Sequence, residues 1–162
     1  MTIQIDTREK AEKIKHITDY FDQAKIKHFR SKLAVGDYID MDFPRYAIDR
    51  KKNLLEVCQN ICQGHERFKN ELELANELGI RMALLIEHGN AIKTLNDVRY
   101  WRNPRKKISP YALDGADVYK ILLTINKKYG VDIYFCNKHQ TGEKIAELLK
   151  YRGETYGIKI GG

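Results

Sequence analysis

Asp37, Asp49 and Lys51 are the residues whose types and spacing could do chemistry. Asp37 follows Gly36 at the start of a β-prone stretch. Asp49 closes YAID, an otherwise apolar strand, and is followed by Arg50 and Lys51. Two carboxylates on neighbouring strands can converge, and together they suit a hard cation such as Mg2+. Such an ion takes oxygen ligands from one or two carboxylates, from waters and from substrate phosphates. Alternate residues of a strand project to one face, so Lys51 shares its face with Asp49. There it could orient or deprotonate an attacking water and offset phosphate charge. Arg50 points the other way and is expected to contribute mainly its carbonyl. Taken alone the pattern is loose, because a chain with 22 acidic residues carries most of them as solvated surface charge.

The elements that must position these residues read as α/β, a mixed central sheet with helices on both faces. TIQID is a short strand, and Glu12 to Ala24 carries Ile14, Ile17, Tyr20, Phe21 and Ala24 at a helical period. His28 to Leu33, Gly36 to Met41 and Tyr46 to Asp49 are β-prone pieces separated by Gly36 and Pro44, which predicts a meander of paired strands. A helix from Asn53 and another from His65 to Leu78, stopped by Gly79, precede the buried strand IRMALLIE. Thr94 to Arg99 reads as a short helix, and WRNPRKKISP as a long, mobile surface loop. GADVYKILLTINKKYG, VDIYFC and TGEKIAELLKYRG alternate helix, strand and helix, and YGIKIGG reads as an edge strand or a frayed end.

The 162 residues, 43% hydrophobic and 31% charged with three prolines, fit one folded domain over 1–162 and argue against disorder. A formal charge of +7 favours an anionic partner. The longest purely apolar run, Met82 to Ile86, is far too short to span a membrane, and MTIQIDTREK lacks a signal-peptide core, so a reducing cytoplasm is expected. The three cysteines make no obvious disulfide framework. Cys58, Cys62 and His65 could share a helical face as a zinc site, with Cys136 and His139 as a second pair, but C-x3-C-x2-H is not a familiar ligand spacing and core thiols are the simpler reading. His16, His28, His65, His88 and His139 have no nucleophile context and read as structural or surface residues.

IDTRE at 5 to 9, VGDYI at 35 to 39 and IDRK at 48 to 51 occur in an order and spacing that resemble the XPF-type nuclease domain, with its VD-x-RE, GDY and ERK pieces. The likeness continues through GHERFKNELELANELGIRMALLIE, residues 64 to 87, and KILLTINKKYGVDIYFC, so it covers nearly the whole chain. The wider group is the PD-(D/E)xK superfamily, with its restriction-endonuclease-like core.

The resemblance implies a structure-specific endonuclease that uses Mg2+ or Mn2+ to hydrolyse phosphodiesters in branched or flapped DNA. Asp37 matches the aspartate of GDY, and Asp49, Arg50 and Lys51 match ERK. Asp6 matches the aspartate of VD-x-RE and Arg67 the arginine of the following helix, both lining the site. It also implies a homodimer or a heterodimer with a related subunit, and cytoplasmic location, or nuclear in a eukaryote. Two departures stand out: Asp49 replaces glutamate, and the aspartate of ERK-x3-D falls on Leu55, with Glu56 one residue later and about 100 degrees away on a helix. No room for a helix-hairpin-helix domain remains after residue 162, as in a small phage or mobile-element protein, so the DNA grip is expected from Arg8 and from Arg99, Arg102, Arg105, Lys106 and Lys107 around Trp101. Trp101 could stack on an unpaired base or sit in its own core. A catalytically silent DNA-structure-binding subunit, and an RNA or base-specific nuclease, are the alternatives. The intact acidic set favours activity.

Overall fold

The computed structural model describes residues 1–159, with side chains described as far as Tyr151. Six strands form one mixed sheet in the order β2-β1-β3-β4-β5-β6. They are β1 (Thr2–Ile5), β2 (Lys27–Arg30), β3 (Tyr38–Asp40), β4 (Phe43–Lys51), β5 (Arg81–Glu87) and β6 (Asp132–Cys136). β4, β5 and β6 run parallel, while β3 is antiparallel to both of its neighbours, β1 and β4.

Helices α1 (Lys15–Gln23) and α5 (Thr141–Lys159) cover one face, and α2 (Leu54–Cys62), α3 (His65–Glu77) and α4 (Gly115–Tyr129) cover the other. The central strands are therefore apolar on both sides, as parallel strands buried between helices must be. Along β5, Met82, Leu84 and Ile86 enter the core under α2, α3 and α4, whereas Ala83 and Leu85 enter the core under α1 and α5. The same alternation along β4 sends Ala47 to the first core and Tyr46 and Ile48 to the second. It puts Asp49 and Lys51 on the α2 and α3 face and Arg50 on the opposite one.

The β-prone pieces do not form a simple meander: β2 pairs in parallel with β1 at the sheet edge, and only β3 and β4 are joined as a hairpin. Pro44 does not interrupt that hairpin. It lies at the exposed start of β4, where a missing N–H costs no central ladder bond. Tyr156 to Lys159, read as strand or fray, belong to α5, and residues 160–162 lie outside the described residues.

WRNPRKKISP is also better supported than a mobile loop would be. A 3-10 turn at Leu95–Tyr100, closed by a Thr94 and Asp97 capping box, packs so tightly on α4 that a Cβ on Gly115 would lie 2.3 Å from the Val98 carbonyl oxygen. Beyond it, buried Asn103 donates to the Leu113 carbonyl at 2.8 Å and accepts from the Arg105 amide at 3.0 Å, tying together both ends of the segment. Among the described residues no helix is long and apolar enough to cross a membrane.

The turn into β3 depends on Gly36. Its φ is +69°, and an added Cβ would stand 2.9 Å from the Ala47 Cβ. Gly36→Ala should therefore lower unfolding stability by at least about 1–2 kcal/mol, the usual cost of left-handed backbone for an L-residue. A wild-type urea midpoint in that variant would contradict this account of the turn.

Candidate active site

The local backbone brings Asp37 to the end of β4. The Asp37 amide donates to the Ile48 carbonyl at 2.8 Å, and the Asp37 carbonyl accepts from the Asp6 amide at 2.8 Å. The residue thus bridges the ends of β1 and β4. Its Oδ2 accepts the Arg50 amide at 2.8 Å, which fixes the carboxylate beside Asp49. Asp37 and Asp49 line one cavity of about 340 Å3, together with Lys51, Glu56, Asn60 and Arg67.

Electrostatically the cavity is short of positive charge. Asp49 is 4% exposed, and Lys51 Nζ meets its Oδ1 at 2.8 Å and donates to Asn60 Oδ1 at 3.2 Å. Asp49 Oδ2 is buried with no hydrogen-bond partner. Burial, followed by the charges of Asp49 and Glu9, pushes the Asp37 carboxyl well above the ordinary carboxylate range. Burial works against the charge on Lys51, but Asp49 and Asp37 outweigh it and hold the ammonium above the ordinary lysine value. Two adjoining carboxylates, one with an orphaned oxygen, fit a hard divalent cation completed by water and phosphate oxygens. Asp37 and Asp49 are the residues that would hold it.

The remaining candidates occupy different places. Arg67 is exposed on α3 and lines the cavity. Asp6 is fully buried and outside the lining. It accepts the Leu33 amide at 2.6 Å and Arg8 Nε at 2.7 Å, so it reaches the cavity only through Arg8. Although its burial opposes ionisation, these bonds hold its carboxyl below the ordinary value. Arg50 contributes more than its backbone. On the α1 and α5 face its guanidinium binds Glu9 Oε1 at 2.6 Å and Oε2 at 2.8 Å, and Glu87 Oε1 at 3.2 Å. Glu87 also accepts from Thr141 at 3.0 Å and contacts His16 at 3.1 Å.

Leu55 and Glu56 resolve by helix geometry. Leu55 turns toward the basic segment, while Glu56 lines the cavity. Glu56 is occupied, however, in capping α2: its carboxylate accepts the Lys52 amide at 2.7 Å, and Asn53 Oδ1 accepts the Glu56 amide at 2.9 Å.

Sequence reasoning passed over Glu9, Asn60 and Glu71, all of which line the cavity. Glu71 accepts the Gly36 amide at 2.9 Å. Helical spacing carried a signal for two of them, since Asn60 follows Glu56 by four residues and Glu71 follows Arg67 by four.

Of the basic segment, Arg102, Arg105, Lys106 and Lys107 are exposed. Arg99 is also exposed, but it lies over the Tyr119 ring at 4.0 Å and donates to its hydroxyl at 2.7 Å. Trp101 is half-buried against the core and edge-on to His88 at 6.1 Å. No three His, Cys, Asp or Glu side chains gather as a metal cage among the described residues, and Cys58, Cys62 and His65 do not form one. Cys58 is a core thiol pushed up to about 11, chiefly by burial.

A mixed sheet between two helical layers, with Asp49 and Lys51 on a central strand and Asp37 beside the end of that strand, defines an α/β protein with an acidic site at its sheet end. The structure is similar to XPF from Aeropyrum pernix, with a TM-score of 0.64 at 16% identity over 94% of this chain and 61% of that one. It is likewise similar to the same protein in complex with DNA, with a TM-score of 0.65 at 14% identity over 95% and 66%. The chain thus spans less than two thirds of the length of these structures. No curated protein matches the chain. The family model for the ERCC4 domain matches residues 5–148, and the chain belongs to that family of XPF-type nuclease domains.

A carboxyl whose pKa is raised on folding stabilises the fold fully below its unfolded pKa, and that contribution is lost as pH rises through the folded value. Asp37 therefore weakens the metal-free protein at neutral pH. In EDTA at pH 7, Asp37→Asn should melt at a higher temperature than wild type, and the gap should close in acid. Identical melting at both pH values would contradict the strained carboxylate.

Proposed function

We propose that the chain is a divalent-metal-dependent DNA endonuclease that hydrolyses phosphodiesters in branched or flapped DNA. The observation that carries this reading is the orphaned Oδ2 of Asp49 beside the carboxylate of Asp37, in a cavity that opens to solvent. Mg2+ or Mn2+ held there would supply Lewis acidity toward the phosphodiester and its attacking water. Asp37 and Asp49 act as ligands, and the Asp37 carboxylate is kept in place by the Arg50 amide. Lys51, as an ammonium tethered to Asp49 and Asn60, orients the water and neutralises charge on the phosphate. Arg67 and Arg8 border the cavity, where their guanidinium groups suit flanking phosphates. Arg50 positions the motif by its ion pairs to Glu9 and Glu87.

Membership of the ERCC4 domain family and the fold shared with the DNA-bound Aeropyrum pernix protein support DNA as the partner. A homodimer, or a heterodimer with a related subunit, is the expected assembly.

Purified protein incubated with flap, fork, four-way-junction, linear duplex and single-stranded DNA should cleave a branched substrate in Mg2+ and none in EDTA. Asp49→Asn should lower that rate by orders of magnitude. Cleavage by the variant at the wild-type rate, or none by wild type on any substrate, would overturn the proposal. Arg102→Ala with Lys106→Ala should weaken DNA binding and reduce the slope of log affinity against log salt by roughly 1–2. An unchanged slope would remove these side chains from the DNA interface.

A further inference from the structure

Trp101 is the aromatic residue that the basic segment suggests for base stacking, yet its ring packs against His88 and the core. The exposed aromatic surface lies elsewhere in the same segment. Tyr111 is 94% exposed, the highest value among the described large hydrophobic side chains, and Ile108 before it is 87% exposed. Residues 101–111, WRNPRKKISPY, carry four cations and no carboxylate. A protein partner would ordinarily meet an apolar patch whose core is depleted of charge. Of these cations only Lys106 meets a carboxylate, Asp114 at 3.7 Å, and an exposed ring in so basic a segment suits a polyanion with unpaired bases.

Position adds a second argument. Tyr111 and Arg105 line a cavity of about 210 Å3 between the basic segment and α2, and Gln59 of α2 lines both this cavity and the carboxylate cavity. The two cavities therefore adjoin across one residue of one helix. Arg105 and Cys58 of α2 line this same cavity, which places the segment beside the helix. The bonds of buried Asn103 to Leu113 and Arg105 hold the segment in shape before any ligand arrives, so less ordering is needed on binding.

We propose that Tyr111 and Arg105 form a stacking site for an unpaired nucleic-acid strand leaving the carboxylate cavity across Gln59. The Tyr111 ring takes a base on its face, and Arg105 pairs with the adjoining phosphate. Such a site is tolerant of sequence, because every base presents a π-face. It explains how a junction is told from plain duplex, since only the junction supplies an unpaired strand to the ring. The inference rests on the nuclease reading for the direction of the strand, but not for binding itself.

The test measures binding in EDTA, where no cleavage occurs, so that failure of the stacking site and failure of the metal chemistry are told apart. Full-length wild type, Tyr111→Ala and Tyr111→Phe are titrated with labelled oligothymidylate, oligouridylate and blunt duplex DNA. Thermal melting confirms that the substituted proteins fold. Tyr111→Ala should weaken single-strand binding by about tenfold and lower the ratio of single-strand to duplex affinity, while Tyr111→Phe keeps both. A loss on oligothymidylate assigns the site to DNA, and one confined to oligouridylate assigns it to RNA. Wild-type single-strand affinity in Tyr111→Ala, or an equal proportional loss on duplex, would overturn the proposal.

Discussion

Two carboxylates stand side by side at the end of one central strand without enough positive charge to satisfy them. Asp49 is buried with one oxygen paired to Lys51 and the other unpaired. Asp37 is driven toward its protonated form by burial and by its acidic neighbours. A buried carboxylate without full compensation costs several kcal/mol in the folded state, and a chain keeps such an arrangement only when something else holds it. The sheet does the holding here. Asp37 is pinned by its own backbone between β1 and β4, and Asp49 lies inside a strand paired on both edges.

The mixed topology follows from that need. Inserting β3 antiparallel between β1 and β4 lets the turn at Gly36 deliver Asp37 to the end of β4, where a parallel crossover would have carried the chain to the far end of the sheet. Strand alternation then divides the motif into two jobs. Asp49 and Lys51 face α2, α3 and the cavity, while Arg50 faces α1 and α5 and is locked by Glu9 and Glu87. Arg50 thus links the N-terminal turn, β4 and the end of β5 in one ionic network whose shape fixes the Asp37 oxygen through the Arg50 amide.

Where local pattern decides, the sequence was legible. The continuous apolar run of IRMALLIE marked β5, the stop at Gly79 marked the end of α3, and Gly36-Asp37 with Asp49-x-Lys51 pointed to residues that line the cavity. What it missed depended on contacts distant along the chain. Nothing near His28 says that β2 pairs in parallel with β1 rather than with β3. Trp101 and Tyr111 are both aromatics in a basic segment, and only packing against His88 and α4 decides which ring is covered. Asp6 shares its motif with Glu9, yet Asp6 is consumed by the Leu33 and Arg8 bonds, while Glu9 reaches Arg50 and the cavity.

The proposed function requires Asp37 and Asp49 together to hold a divalent cation. Titration of the protein with Mn2+, followed by the resonance signal of the free ion, measures this without substrate or turnover. The account predicts uptake of Mn2+ by wild type that is lost in Asp37→Asn and in Asp49→Asn, and that falls as pH drops and Asp37 is protonated. Equal uptake by wild type and both variants, with no dependence on pH, would contradict it.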